Sequence, residues 1–235
     1  MVAVIFEQTL VVAPALRYLG AAYTGRNWKG EVVSEQPTFE HFLESDFRWP
    51  RRGDQAFATS PTRGSNAEIA LPVSSRAVMM ITGYKRAADL MVAQATRDRY
   101  DRDALVYPII FNYRQFIELS LKYLIATYGP QVNIAANWTS HRLDELWKIF
   151  SGLLNAYPSG DPEGTDPAVK AIIAEFAKVD PNSFSYRYPV DIKGNPIPIA
   201  FGELDVTALS DAMSALSSYF SGCDGYFDSL SANEV

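Results

Sequence analysis

The sequence predicts an all-α protein: an up-and-down bundle of about five helices, with a small β-hairpin near residues 186–199 and an irregular N-terminal extension. Three observations carry that reading. Between Met80 and Phe220, apolar residues recur at three- and four-residue intervals in separate segments. Proline, glycine and aspartate punctuate the gaps between those segments. Residues 1–75, in contrast, hold no sustained helical period and are broken by turn compositions such as Trp49-Pro50-Arg51-Arg52-Gly53 and Ser60-Pro61-Thr62-Arg63-Gly64-Ser65.

The expected organisation is therefore an extension over 1–75 and a bundle over 76–235. Short helices are expected in the extension around Leu10–Leu19 and Phe39–Glu44, with Phe42, Phe47, Trp49 and Phe57 anchoring it on the bundle. The first bundle helix is expected from Met80, because Met80, Tyr84, Ala87, Ala88, Met91 and Ala95 fall on one face. After a charged turn, Thr96–Asp103, a second helix is apolar around nearly its whole circumference and stops at Gly129-Pro130. A helix of that kind belongs at the centre. Pro108 has no amide hydrogen and suits a first turn, which places the expected start near Tyr107.

Thr139 or Ser140 is expected to cap a third helix, with Asp144 and Glu145 in its first turns and Leu143, Leu146, Trp147, Phe150 and Leu154 as its buried stripe. Asp166-Pro167 reads as the cap and first position of a fourth helix, which buries Val169, Ile172, Ile173 and Phe176 and ends before Pro181. The fifth is expected from about Leu204 to Tyr219, with Leu209, Ala212, Met213, Leu216 and Phe220 in register and Gly222 as terminator. Between the last two, the turn Lys193-Gly194-Asn195-Pro196 separates two apolar runs and suggests the hairpin. The tail after Ser229 is expected to fray.

Composition narrows the function classes. Net charge is −6 with a pI of about 5.0, which argues against general DNA binding through phosphate neutralisation. The densest basic stretch, Arg48, Arg51, Arg52 and Arg63, lies in loop composition and reads as solvated surface. The single cysteine, Cys223, cannot close an intramolecular disulfide and points to a reducing, cytoplasmic setting. No export signal and no membrane span are expected, so Asn137-Trp138-Thr139 is read as an accidental sequon. No cofactor is expected: phosphate-binding, dinucleotide-binding, zinc-protease and serine-hydrolase motifs are all missing. With two histidines and one cysteine, no metal site is expected either.

The sharpest anomaly lies on the second helix. Arg114, Glu118 and Lys122 are four residues apart, so they form one charged stripe, with Gln115 beside it, on an otherwise apolar helix. As a solvated face it would contribute roughly 0.2–0.5 kcal/mol per pair. As a seam inside the bundle or at an interface, its charges must be partnered. His141 can move a proton near neutral pH or serve as a surface or capping residue. Arg187, between Tyr186 and Tyr188, can hold an anion, stack on rings or pair with a carboxylate such as Glu118.

The runs Tyr107-Pro108-Ile-Ile-Phe-Asn-Tyr-Arg114-Gln-Phe-Ile-Glu118-Leu-Ser-Leu-Lys122, Ser140-His141-Arg-Leu-Asp-Glu-Leu-Trp147 and Phe184-Ser-Tyr-Arg187-Tyr-Pro189-Val-Asp191 together resemble HEPN-like helical proteins of bacteria and phages. The resemblance covers about residues 80–220. It implies a helical bundle, often a homodimer, of a kind found in toxin–antitoxin and antiviral defence systems, with many members cleaving RNA without a metal. Those ribonucleases carry an arginine followed four to six residues later by a histidine, a spacing missing here around both His41 and His141. Two expectations follow. In one, Arg114, His141 and Arg187 converge to bind or cleave RNA, the arginines holding phosphate and His141 moving a proton. In the other, the bundle has no reaction of its own, and Arg114, Glu118, Lys122 and Arg187 form a structural network in a module that binds a partner protein.

Overall fold

The computed structural model describes residues 48, 50–69, 71–157 and 164–232. The chain divides after Ala67 into two compact units. In the first, Asp54 closes a turn: its carboxylate accepts from the Arg51 amide at 2.7 Å and pairs with Arg48 at 2.6 Å. Ser60 and Asn66 bond reciprocally across a loop that includes a short 3-10 turn, Arg63–Ser65. Phe57, expected as an anchor, is fully exposed. The expected helices at Leu10–Leu19 and Phe39–Glu44, the anchors Phe42, Phe47 and Trp49, and His41 lie outside the described residues.

The second unit is the all-α bundle, built from α1 (Val73–Ala95), α2 (Arg99–Tyr128), α3 (Leu143–Ala156), α4 (Thr165–Val179) and α5 (Val206–Ala232). Helix α2 packs against α1, α3 and α5, and α4 packs on α3. Among the described residues no helix is long and apolar enough to cross a membrane. The central place of α2 follows from its composition: its buried residues run from Ile109 to Tyr128 on all sides.

Helix α1 starts seven residues before Met80. Its first half exposes Val73, Val78, Met79 and Met80 alike, so no stripe marks it in the sequence; further along, Ala88, Val92 and Ala95 form the buried edge. Helix α2 starts eight residues before Tyr107, and Pro108 sits inside it rather than in its first turn. Asp98 supplies the cap by accepting from the Asp101 amide at 2.9 Å. The carbonyl that loses its helical donor to Pro108 belongs to Ala104, an exposed residue, so water can satisfy it. At the other end α2 stops where expected and passes into a 3-10 turn, Gly129–Val132. A side chain at Gly129 would collide with the carbonyl of Ile134, whose amide donates to the Gly129 carbonyl at 2.8 Å.

Two caps differ from expectation. Helix α3 begins at Leu143, and neither Thr139 nor Ser140 is its cap residue; Ser140 accepts from the Arg142 amide at 3.1 Å and donates to Glu145 at 2.6 Å. Helix α4 begins at Thr165 behind Gly164, whose φ of 65° only glycine adopts freely. Asp166 lies within its first turn and accepts from the Tyr219 hydroxyl at 2.5 Å. The expected hairpin reduces to one antiparallel bridge, Val190 with Pro196, closed by two flanking backbone bonds.

The largest difference is α5, which runs through Gly222 and Gly225 to Ala232. A glycine ends a helix only if tertiary contacts do not carry it on. Here Phe227 is fully buried against Tyr128, Tyr157 and Phe150, with ring centroids 4.8–6.5 Å apart. Both glycines are exposed, and a Cβ at Gly222 meets nothing within 4 Å. Gly222→Ala is therefore expected to stabilise the fold by about 0.5–1 kcal/mol, read as a higher denaturation midpoint. Trp147 is buried on the inward stripe of α3, 5.6 Å from the Phe150 ring. Trp147→Ala is expected to cost roughly 3–5 kcal/mol in the same melt, and a loss under about 1 kcal/mol would contradict that burial.

Candidate functional site

The polar stripe of α2 is an interior seam. Four-residue spacing stacks Arg114, Glu118 and Lys122 along one line of the helix, and all three are buried, Arg114 completely. Glu118 is the hub: Oε2 accepts from Arg114 at 2.9 Å, while Oε1 accepts from Lys122 at 2.9 Å and meets Nδ1 of His141 at 2.8 Å. Burial on its own would raise the Glu118 pKa, but the bonds from Lys122, His141 and Arg114 outweigh it, and the carboxyl titrates below its ordinary range.

The same cations reach the backbone of two loops. Arg114 donates from Nε to the Asp180 carbonyl at 3.0 Å and from its second terminal nitrogen to the His141 carbonyl at 2.6 Å. Lys122 donates to the Trp138 carbonyl at 3.2 Å. One line of side chains thus fastens the segment before α3 and the turn after α4. Asp180 completes that turn: Oδ1 accepts from the amides of Phe184 and Ser185 at 2.7 and 3.0 Å. Its Oδ2 lies 3.4 Å from Arg114 Nε, an ionic contact without a hydrogen bond, because that N–H is aimed at the carbonyl. Gln115 donates to Ser183 at 2.9 Å and so holds a residue whose φ of 57° is costly for a side chain other than glycine.

The three residues expected to converge are only partly brought together. Arg114 and His141 share Glu118, but each of the three guanidinium nitrogens of Arg114 donates to a protein oxygen in a fully buried position. Arg114 cannot hold a phosphate arriving from solvent. His141 precedes α3 instead of lying in its first turn, and its ring is 63% exposed. With Nδ1 held by Glu118, Nε2 is the nitrogen left for solvent. Arg187 stands apart: its guanidinium lies 5.6–6.0 Å from the ring centres of Phe111, Phe184 and Tyr188, so its partners are rings and not Glu118.

Asp180, Ser183 and the Trp138 carbonyl escaped the sequence reading. Asp180-Pro181-Asn182-Ser183 has turn composition, but nothing in it signals that the turn closes on a helix 66 residues earlier. Comparison with known proteins found no matching family model, no matching curated protein and no matching solved structure.

Glu118→Gln is expected to cost about 1–3 kcal/mol, because the amide places a donor among cationic donors in a buried site. A change of only tenths would mean a solvated carboxylate. The pH dependence has a definite sign. Because the folded pKa lies below the unfolded one, the Glu118 contribution is complete above the unfolded value of about 4.3 and is lost as pH falls through the folded value. Denaturant melts from pH 3 to 7 should show a shallower acid limb for the Gln variant.

Proposed function

We propose that this chain is a HEPN-like helical-bundle protein of a prokaryotic or phage defence or toxin–antitoxin type system, acting in the cytoplasm, as a homodimer, as a partner-binding module without a reaction of its own. The observation that carries the reading is the saturation of the seam. Arg114 spends every guanidinium nitrogen on protein oxygens, and Lys122 is buried between Glu118 and a backbone carbonyl. The network therefore serves to hold loops, and the function expected of the bundle lies on the surfaces those loops shape.

One observation favours a second reading, metal-independent RNA cleavage. His141 presents an exposed imidazole whose inner nitrogen is held by a buried carboxylate, the arrangement that fixes a proton-transferring ring in one orientation. Trp138, 54% exposed and three residues earlier, could stack a base. The guanidinium next in sequence, Arg142, already pairs with Asp144 at 2.6 Å and Glu145 at 3.0 Å, so a phosphate would have to compete with two carboxylates. That competition supports the binding module.

The test is to incubate the purified protein with structured RNA in the presence of a chelator, beside His141→Ala. The module reading expects no cleavage that depends on His141. Cleavage that falls by about 10²–10⁴-fold in the variant, at unchanged helical content, would overturn it in favour of the ribonuclease.

A further inference from the structure

Three positions of α2, each one helical turn after the last, meet the segment that follows α4. The Tyr107 ring centre lies 6.4 Å from that of Tyr186, the Phe111 ring 5.7 Å from the Arg187 guanidinium, and Gln115 donates to Ser183 at 2.9 Å. The segment turns tightly here, since the amides of Arg187 and Tyr188 both donate to the Phe184 carbonyl, at 3.1 and 3.3 Å. That turn brings the Phe184 and Tyr188 ring centres to 4.6 Å from each other, and both lie within 6.0 Å of the guanidinium. Arg187 is therefore held by three rings, one from α2 and two from its own turn.

What the rings leave unmet is the guanidinium's hydrogen bonding. Arg187 is exposed, and among the described residues its side-chain nitrogens have no acceptor and no carboxylate. Other arginines of this unit that are fixed in place spend their donors: Arg114 on Glu118 and two carbonyls, Arg142 on Asp144 and Glu145. An arginine that swings in water is ordinary. This one gives up side-chain freedom to ring contact in advance, so its N–H fork is pre-set for a planar acceptor with two oxygens.

The residues that follow add apolar surface. Tyr188 is 49% exposed, Val190 40% and Ile192 95%. Their loop is shaped by its own bonds: the Ile197 amide donates to the Pro189 carbonyl at 3.0 Å, and Asp191 Oδ1 accepts from the Lys193 and Asn195 amides at 2.8 and 2.9 Å. A cationic fork with exposed tyrosine and aliphatic side chains has the composition of a protein-binding hot spot. Nucleic acid fits less well. A strand of phosphates is held by a run of cations, and residues 184–199 offer only Lys193 besides Arg187, in a chain of net charge −6.

We infer that Arg187 and residues 188–192 form a docking site for an acidic segment of a partner protein, one aspartate or glutamate carboxylate taking the Arg187 fork and an adjoining apolar side chain covering Ile192. This rests on the partner-binding reading above and names the chemistry of that partner.

The probe is a pentapeptide of alternating leucine and glutamate, acetylated and amidated at its ends, titrated into the full-length ¹⁵N-labelled protein. Saturable shifts are expected at the Arg187 Nε–H and at the Tyr188 and Ile192 amides. The same peptide with glutamine in place of glutamate should bind about 10-fold more weakly, as should Arg187→Lys, which keeps the charge but not the fork. Ile192→Asp, at a position too exposed to affect folding, should weaken binding while the His141 and Lys122 signals stay in place. Equal binding of the glutamine peptide, shifts centred on another face, or unchanged affinity in Arg187→Lys or Ile192→Asp would each overturn the assignment. So would an oligouridylate that saturates the Arg187 signal at lower concentration than the peptide, because the site would then be one for phosphate. The two readings fail separately: RNA cleavage that depends on His141 would remove the module without a reaction while leaving peptide binding at Arg187 intact, and loss of peptide binding would leave the cleavage test unchanged.

Discussion

Two cations and one imidazole share the carboxylate of Glu118, and the arrangement of the loops around α2 depends on that sharing. A lone carboxylate at this depth would be neutralised by protonation, and a lone guanidinium or ammonium would not be buried at all. Stacked one helical turn apart, the three side chains satisfy one another first, and the donors left over are what bind the backbone at Trp138, His141 and Asp180. The charged line therefore works as a clasp. It joins the start of α3 and the end of α4 to the central helix through bonds that hydrophobic contact, which has no direction, could not supply.

The clasp also explains what happens to the candidate catalytic residues. Using Arg114 to secure two backbone carbonyls removes it from solvent, and a fully buried guanidinium cannot meet an incoming phosphate. His141 is held from the other direction: its carbonyl and its Nδ1 both face the seam while most of its ring faces out. One residue thus belongs to the structural network through one edge and to the surface through the other. That leaves Nε2 for solvent, and Trp138, three residues earlier, and the carboxylate-paired Arg142, next in sequence, are exposed as well.

On the far side of α2 the helix meets α1 and α5 through a mixed wall, where aromatic edges stand beside serine hydroxyls. The two sides of the helix are resolved in opposite ways. At the seam every strong polar group finds a partner except one oxygen of Asp180, which has Arg114 as an ionic neighbour. On the far side the Ser120 hydroxyl finds none. In a close-packed interior such an unmet hydroxyl is a cost that the surrounding burial of apolar groups has to offset.

Periodicity alone was enough to determine the all-α class, the central place of α2, the inward stripes of α3 and α4, and the alignment of Arg114, Glu118 and Lys122, because these follow from residues a few positions apart. Where helices start and stop was less legible: α1 begins on apolar residues exposed all round, Pro108 is accommodated at an exposed turn, and α5 crosses Gly222 because Phe227, further along the same helix, is buried against rings of α2 and α3. Only the tertiary structure decided that the charged stripe is buried, that Asp180 and the His141 carbonyl complete it, and that Arg187 stacks on rings instead of joining Glu118. The physical reason is common to all of these. A side chain's partners far along the chain are chosen by how helices pack, and the local pattern of a sequence records which groups need partners without recording which partners they find.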